Sequence, residues 1–440
     1  MKRLVITGLS AAGILLIGVA ALGGTAASPA PSVSVTFNKD VLPILQKNCQ
    51  TCHRPGEVAP MSLLTYNDAR PWAAAIKTAV LTKQMPPWYA DAEFDGHFLN
   101  QRKLTPQEIS TLKAWVDSGA VEGEAKDKPA PSEFVEGWSI GKPDKILPMP
   151  MPYQVPAEGV INYKYVLIPG NFTQDEWVKA AEIRPGNRAL VHHVVVFVRP
   201  PGSKMMKDAK PGIMYDASEM GGEGGLEGQY LVSFAPGEQP ETMGDAAQRI
   251  PSGSDIVLQI HYTTNGTAGE DATRIGLIFA KEPPRQQYVT LAAVNPMFAI
   301  PPGNPSYEVK AQVTVREPVQ LVSLKPHMHL RGKDFEYRVL FPNGQSQTIL
   351  KVSRYDFNWQ LRYKLAKPVD LPKGAQIQCI AHYDNSPNNP ANPDPSKTIH
   401  WGDQSWEEMM IGFFSVEVST TEDPRKLVQM GFGSSKPLAE

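Results

Sequence analysis

The chain has 440 residues, 42% hydrophobic and 20% charged, which is long enough for two or three cored domains and too apolar for disorder. A formal net charge of -2 argues against nucleic acid as a partner. Only three cysteines are present, two of them in one short motif, so disulfides do not hold the fold.

Lys2-Arg3, an apolar stretch over 4–24 and the small residues Thr25-Ala26-Ala27 follow the order of an export signal. The expected signal peptide is 1–27, cut after Ala27, with an uncleaved membrane tether as the alternative. Either places the rest outside the cytoplasm, in a bacterial periplasm or otherwise exported.

Residues 35–123 read as a small all-α cytochrome c domain. Cys49-Gln50-Thr51-Cys52-His53 has the spacing of a covalent c-type haem site: thiols one helical turn apart reach two vinyl groups, and His53 becomes the proximal iron ligand. A zinc or redox Cys-x-x-Cys beside a chance histidine is the alternative. Met85, in Lys83-Gln84-Met85-Pro86-Pro87-Trp88, is the expected sixth ligand, with Met61 and His97 as competitors and packing on the haem edge as the plainer role. Arg70 either pairs with a haem propionate or is solvated. Thr105-Pro106-Gln107-Glu108 is a capping box, and Ile109, Leu112, Trp115 and Val116 form an apolar helical stripe ending at Gly119.

Residues 124–156 are proline-rich and charged, a linker or wrapping arm. Beyond them short β-branched runs recur at 163–168, 190–198, 255–264, 273–280, 309–315, 319–324, 335–340 and 410–418, separated by Gly, Pro and Asn clusters. The expected fold is therefore multidomain: the all-α cytochrome c domain, then two all-β antiparallel, jelly-roll-like sandwiches over 157–283 and 284–425.

Five of the nine histidines fall in three places: His192-His193, His261 and His327-Met328-His329. On a strand His327 and His329 share a face and can chelate one ion. His192 and His193 would point to opposite faces unless a bulge or strand end intervenes. His261 lies on the alternating run 256–262. A lone histidine is usually a packing residue, but five so arranged, with Met409 or its neighbour Met410, make two three-ligand sets that suit copper. His382 and His400 match no ligand position, and the loop 385–396 reads as turn chemistry, with calcium as an alternative.

The order His192-His193, Gln259-Ile260-His261-Tyr262, His327-Met328-His329 and Glu407-Glu408-Met409 resembles the copper type II, ascorbate-dependent monooxygenases, the family of peptidylglycine α-hydroxylating monooxygenase and dopamine β-monooxygenase. The resemblance spans 160–418. It implies two sandwiches facing each other across a solvent-filled cleft and two copper ions. An electron-transfer copper would lie on His192, His193 and His261, and an O2-binding, hydroxylating copper on His327, His329 and Met409. The acidic pair before the methionine selects Met409 over Met410. The implied reaction hydroxylates a C–H bond of an organic substrate with O2. It takes two electrons, which one covalent haem c would pass on from an external donor.

The sequence also departs from the family. Ile411, Phe413 and Lys325 stand where peptide-hydroxylating relatives hold a substrate carboxylate, so a glycine-extended peptide is not the expected substrate, and the family's disulfides cannot form. Lys325 shares its strand face with the two histidines, and is expected either to draw an anionic group on the substrate or to face solvent. The alternative from another class is a non-enzymatic periplasmic haem and copper electron-transfer or copper-handling protein. Such proteins favour low-complexity Met and His tracts, whereas these ligands are dispersed.

Overall fold

The computed structural model describes residues 35–431, apart from 58, 136, 217, 218 and 220–227. The expected signal segment at 1–27 lies outside the described residues. Among those described, no helix is long and apolar enough to cross a membrane.

The chain is mostly β, 37% strand against 13% helix, and the expected multidomain fold opening with an all-α cytochrome c domain is not what forms. The helices α1 (Leu42–Asn48), α2 (Tyr66–Ala69), α3 (Ala73–Leu81) and α4 (Pro106–Asp117) are short. They pack around Phe37, Leu45, Leu112 and Trp115. The capping box starts α4: Thr105 Oγ1 accepts from the Glu108 N–H, and a Glu108 carboxylate oxygen accepts from the Thr105 N–H. Between α3 and α4, however, the chain leaves the helices. Residues 83–100 form a strap whose Tyr89, Phe94 and Phe98 are buried in a β core, and Phe98 makes a β-bridge with Leu365. The apolar residues of this stretch find their cover on distant strands, so 35–123 does not close on itself.

The strands form two pairs of facing antiparallel sheets. In the first pair, one sheet runs in the order Lys145–Pro148, Arg274–Phe279, Glu176–Arg184 and Glu241–Thr242, with Gln248–Ile250 also on Glu176–Arg184. Its partner runs Met214–Asp216, Lys164–Ile168, Asp255–Tyr262, Val191–Arg199 and Gln229–Phe234. Alternation builds the core between them: Ile256, Leu258 and Ile260 point inward with Val194, Val196 and Val198. Two strands from the expected linker join in, Lys145–Pro148 on Arg274–Phe279 and Tyr153–Val155 on Gly269–Asp271.

In the second pair, one sheet runs Gln286–Val294, Ile411–Ser419, Val319–His327 and Tyr363–Leu371. The other runs Ser346–Val352, Gly332–Leu340, Gln376–Tyr383, Tyr307–Val315 and Val428–Gly431. Their shared core includes Leu321, Leu324, Phe335, Tyr337, Phe414 and Met410.

Both faces of the sheet centred on Asp255–Tyr262 are covered, because its outer residues Tyr165, Leu167, Phe197 and Val257 pack toward Phe413 of the second pair. Charges are buried at the same junction. Lys325 pairs with Glu238 at 2.9 Å and Arg362 with Glu241 at 2.8 Å, while Tyr230 Oη accepts from Arg362 at 2.8 Å. The histidines lie on this junction.

Candidate metal centre

His261 and His193 are cross-strand neighbours on the outer face. The next pair in register is Tyr262 with Val191, which leaves His192 as the extra residue of a β-bulge. The bulge turns His192 toward the side that His193 and His261 already occupy. One ligand atom from each of the three rings lies within 4.8 Å of the others, and the Nδ1 atoms of His192 and His193 are 3.3 Å apart. Burial lowers the His192 pKa to about 4 and that of His261 to about 3. Burial, then the neighbouring imidazoles, hold His193 well below its ordinary value. All three are thereby held in the neutral form near pH 7. His192 Nε2 and His261 Nδ1 are buried without a hydrogen-bond partner, a cost that a metal ion would remove. This donor set fits copper.

The second set comes from the end of strand Val319–His327. His327 Nδ1 lies 2.6 Å from Gln360 Oε1. The amide oxygen can only accept, so Nδ1 carries the proton and Nε2 keeps its lone pair. His329 Nδ1–H donates to the Glu407 carbonyl at 3.2 Å, leaving a buried Nε2 with no partner. The two rings are 5.3 Å apart and perpendicular. Met410 is fully buried in the second core, whereas Met409 lies outside it, in a small cluster with Val294 and Ile411 that touches Phe413. The Phe413 ring is in turn 6.3 Å from His327. Two imidazoles with directed lone pairs also fit copper, and a thioether supplied by Met409 would favour the reduced ion.

The segment 327–331 is pinned from beneath. Glu408, buried and pushed up to about 8 by that burial, accepts the N–H groups of His329 at 2.8 Å and Arg331 at 2.6 Å. Tyr355 Oη donates to the Met328 carbonyl at 2.8 Å.

The two sets are closer than a solvent-filled cleft would hold them. The Tyr163 ring is 4.6 Å from His261, 5.0 Å from His193 and 6.5 Å from His329. Phe357 stacks on His192 at 5.2 Å and meets His329 edge-on at 5.9 Å. Each ring touches histidines of both sets.

Upstream, the N–H groups of Cys52 and His53 both donate to the Cys49 carbonyl, at 3.1 and 3.0 Å, which holds the motif in one turn. Both thiols are free and half-buried. Burial pushes Cys49 up to about 12; it raises Cys52 as well, with Arg102 pulling the other way. Burial lowers His53, whose Nδ1 has no partner. Two protonated thiols one turn apart beside a neutral imidazole fit covalent haem. Cys52 also lines a cleft of about 1290 Å³, open solvent included, with Arg54, Arg102, Arg188 and Lys364. Met61 packs against the helical cluster, Met85 is half-buried at the head of the strap, and Arg70 and His97 are exposed.

Lys325 departs from its expected role. Its ammonium bonds both oxygens of the Glu238 carboxylate at 2.9 Å, and also Ser233, so the charge is committed within the protein and is not free to draw a substrate anion. His382 Nδ1 is taken by Asp334 at 2.7 Å, and His400 is exposed. Sequence reasoning missed Tyr163, Phe357, Gln360 and Glu408. Tyr163 has the parity of Tyr165 and could have been assigned to the outer face. Phe357 and Gln360 lie in a loop with no periodic signal.

No family model matches the chain, and no curated protein matches it. Among solved structures it is similar to infectious bursal disease virus of the Gx strain, with 9% identity over 65% of this chain and 75% of that one, at a TM-score of 0.19. The VP2 subviral particle of that virus gives 8% identity over 65% and 74%, also at 0.19. The Gt strain gives 11% over 69% and 78%, at 0.18. Similarities this low bear on neither fold nor function.

Proposed function

We propose that the chain is an exported copper-dependent monooxygenase that hydroxylates a C–H bond of an organic substrate, with electrons entering through a haem c carried by Cys49 and Cys52. The observation that carries this reading is the junction itself: five imidazoles in two sets, with ring nitrogens that no protein group satisfies, and Met409 in a cluster that reaches Phe413, whose ring is 6.3 Å from His327. His192, His193 and His261 would hold one copper; His327, His329 and Met409 would hold the other. Copper there supplies one-electron chemistry and O2 binding, so that one oxygen atom enters substrate and the other leaves as water with two electrons and two protons.

The chain's own groups do the rest. Burial keeps the imidazoles unprotonated, and Gln360 and the Glu407 carbonyl engage Nδ1 of His327 and His329, so that Nε2 of each would be the nitrogen left for an ion. Glu408 holds the loop that joins these ligands. The rings of Tyr163 and Phe357 stand against histidines of both sets.

The test is copper stoichiometry by mass spectrometry, followed by incubation of the reduced, loaded protein with extracts under ¹⁸O2. Two coppers per chain and one labelled oxygen atom in a product support the proposal. Two coppers without label in any product would make it a copper-handling or electron-transfer protein, and no copper would end the reading.

A further inference from the structure

The strap 83–100 grips one loop, 353–362, at both ends. At the first end, Ser353 donates through N–H and Oγ–H to the Asp91 carboxylate at 3.1 and 2.6 Å, and the Asp91 N–H donates to the Lys351 carbonyl at 2.9 Å. Arg354 donates to the Lys83 carbonyl at 3.2 Å, with its guanidinium 5.4 Å from the Tyr89 ring centre. At the far end, Asn100 donates to the Arg362 carbonyl at 2.7 Å and accepts from the Lys364 N–H at 3.0 Å. Trp88 lies 4.9 Å from Tyr363. Between these anchors the loop presents Phe357 to His192 and His329, and Gln360 to His327. Gln360 Nε2 donates to the Phe357 carbonyl at 3.3 Å, which ties the two together.

We infer that this loop is the element through which the N-terminal segment sets the geometry of both histidine sets, with Phe357 and Gln360 as its positioning residues. Neither has to touch substrate. Phe357 fixes the ring planes of one histidine from each set, and Gln360 fixes the tautomer of a third. Because the loop is held at both ends by the chain that follows the Cys49–His53 motif, a change in how that segment docks reaches both sets together. The inference rests on the proposed function for its consequence in metal binding, but not for its geometry.

The experiment uses the full, metal-free chain labelled with ¹⁵N at histidine, so that its first arm needs no copper. Gln360→Ala is expected to release His327 from the Nδ1–H tautomer, and Gln360→Glu, which still accepts that proton, to keep it. Phe357→Leu is expected to remove the ring-current shifts of His192 and His329. Asp91→Ala, which touches no histidine, is expected to shift the resonances of His192, His327 and His329. Unchanged resonances in Asp91→Ala, or an unchanged His327 tautomer in Gln360→Ala, would overturn the inference. In the second arm, Gln360→Ala is expected to weaken copper binding at the His327 set by about 10- to 100-fold, the usual loss when a ligand's orienting partner is removed. Wild-type protein that binds no copper would instead overturn the proposed function, with the resonance shifts still deciding this inference.

Discussion

Acidification is expected to unfold the metal-free protein through its histidines, and His192 gives the amount. Its ring is half-buried with Nε2 shut off from solvent, and the loss of hydration lowers its pKa from 6.5 to about 4 on folding. Between those values the unfolded chain binds a proton that the folded chain refuses, so stability rises with pH across this window and is lost as pH falls through it. A drop of that size is worth about 3 kcal/mol for the one residue, at about 1.4 kcal/mol for each tenfold change. His261, lowered to about 3, and His327, lowered to about 4, act in the same direction. Urea unfolding of the metal-free chain at pH 7, 5.5 and 4 measures the total. The same series on His192→Gln isolates one share, since glutamine does not titrate. The variant is expected to lose about 3 kcal/mol less stability than wild type between pH 7 and pH 4. Equal losses in the two proteins would show that His192 is solvated enough to protonate in the fold, and the account of a neutral, ligand-ready ring would fail.

Glu238→Ala leaves the Lys325 ammonium in a junction where the two side chains are 7% and 3% exposed. It is expected to cost about 3–5 kcal/mol in urea unfolding, against a much smaller cost when Lys325→Met is added to it. A cost below about 1 kcal/mol, the value of an exposed pair, would mean that water reaches the junction. Met409→Ala is expected to abolish oxygen insertion while the copper on His192, His193 and His261 stays, as copper analysis and electron paramagnetic resonance would show; loss of that copper alone would reverse the assignment. Cys52→Ala is expected to lose haem staining on denaturing gels, and staining that persists without both thiols would overturn the assignment of the haem to Cys49 and Cys52. Thr105→Ala breaks the capping box of α4 and is expected to cost about 1 kcal/mol.

The sequence showed what is periodic or motif-bound. The alternation of Ile256, Leu258 and Ile260 marked a core face and left His261 on the other side, and Thr105 with Glu108 marked a helix start. What it did not show depends on register and distance. That His192 needs a bulge or strand end to join His193 could be read from their adjacency, but that a bulge forms there depends on one strand carrying an extra residue relative to its neighbour, which neither strand reveals alone. Helix signals at 35–123 suggested a self-contained helical domain. Yet Tyr89, Phe94 and Phe98 have no helical spacing, and their cover is on strands far along the chain. Lys325 looked available to substrate because Glu238, its partner, comes from the other sheet pair.

The strap also sets an order of assembly. Asn100 and Arg362, which bond to each other, are 262 residues apart in sequence. During synthesis the cysteines of the Cys49–His53 motif emerge long before the strands that cover Trp88, Tyr89, Phe94 and Phe98. The front of the chain must therefore wait, with its aromatic side chains in water, for the far sheet to be made, a long-range closure of the kind that slows folding. A fragment ending at residue 123 would keep those side chains exposed and tend to aggregate. The thiols, by contrast, remain reachable throughout that delay, so chemistry on them can be finished before the molecule locks.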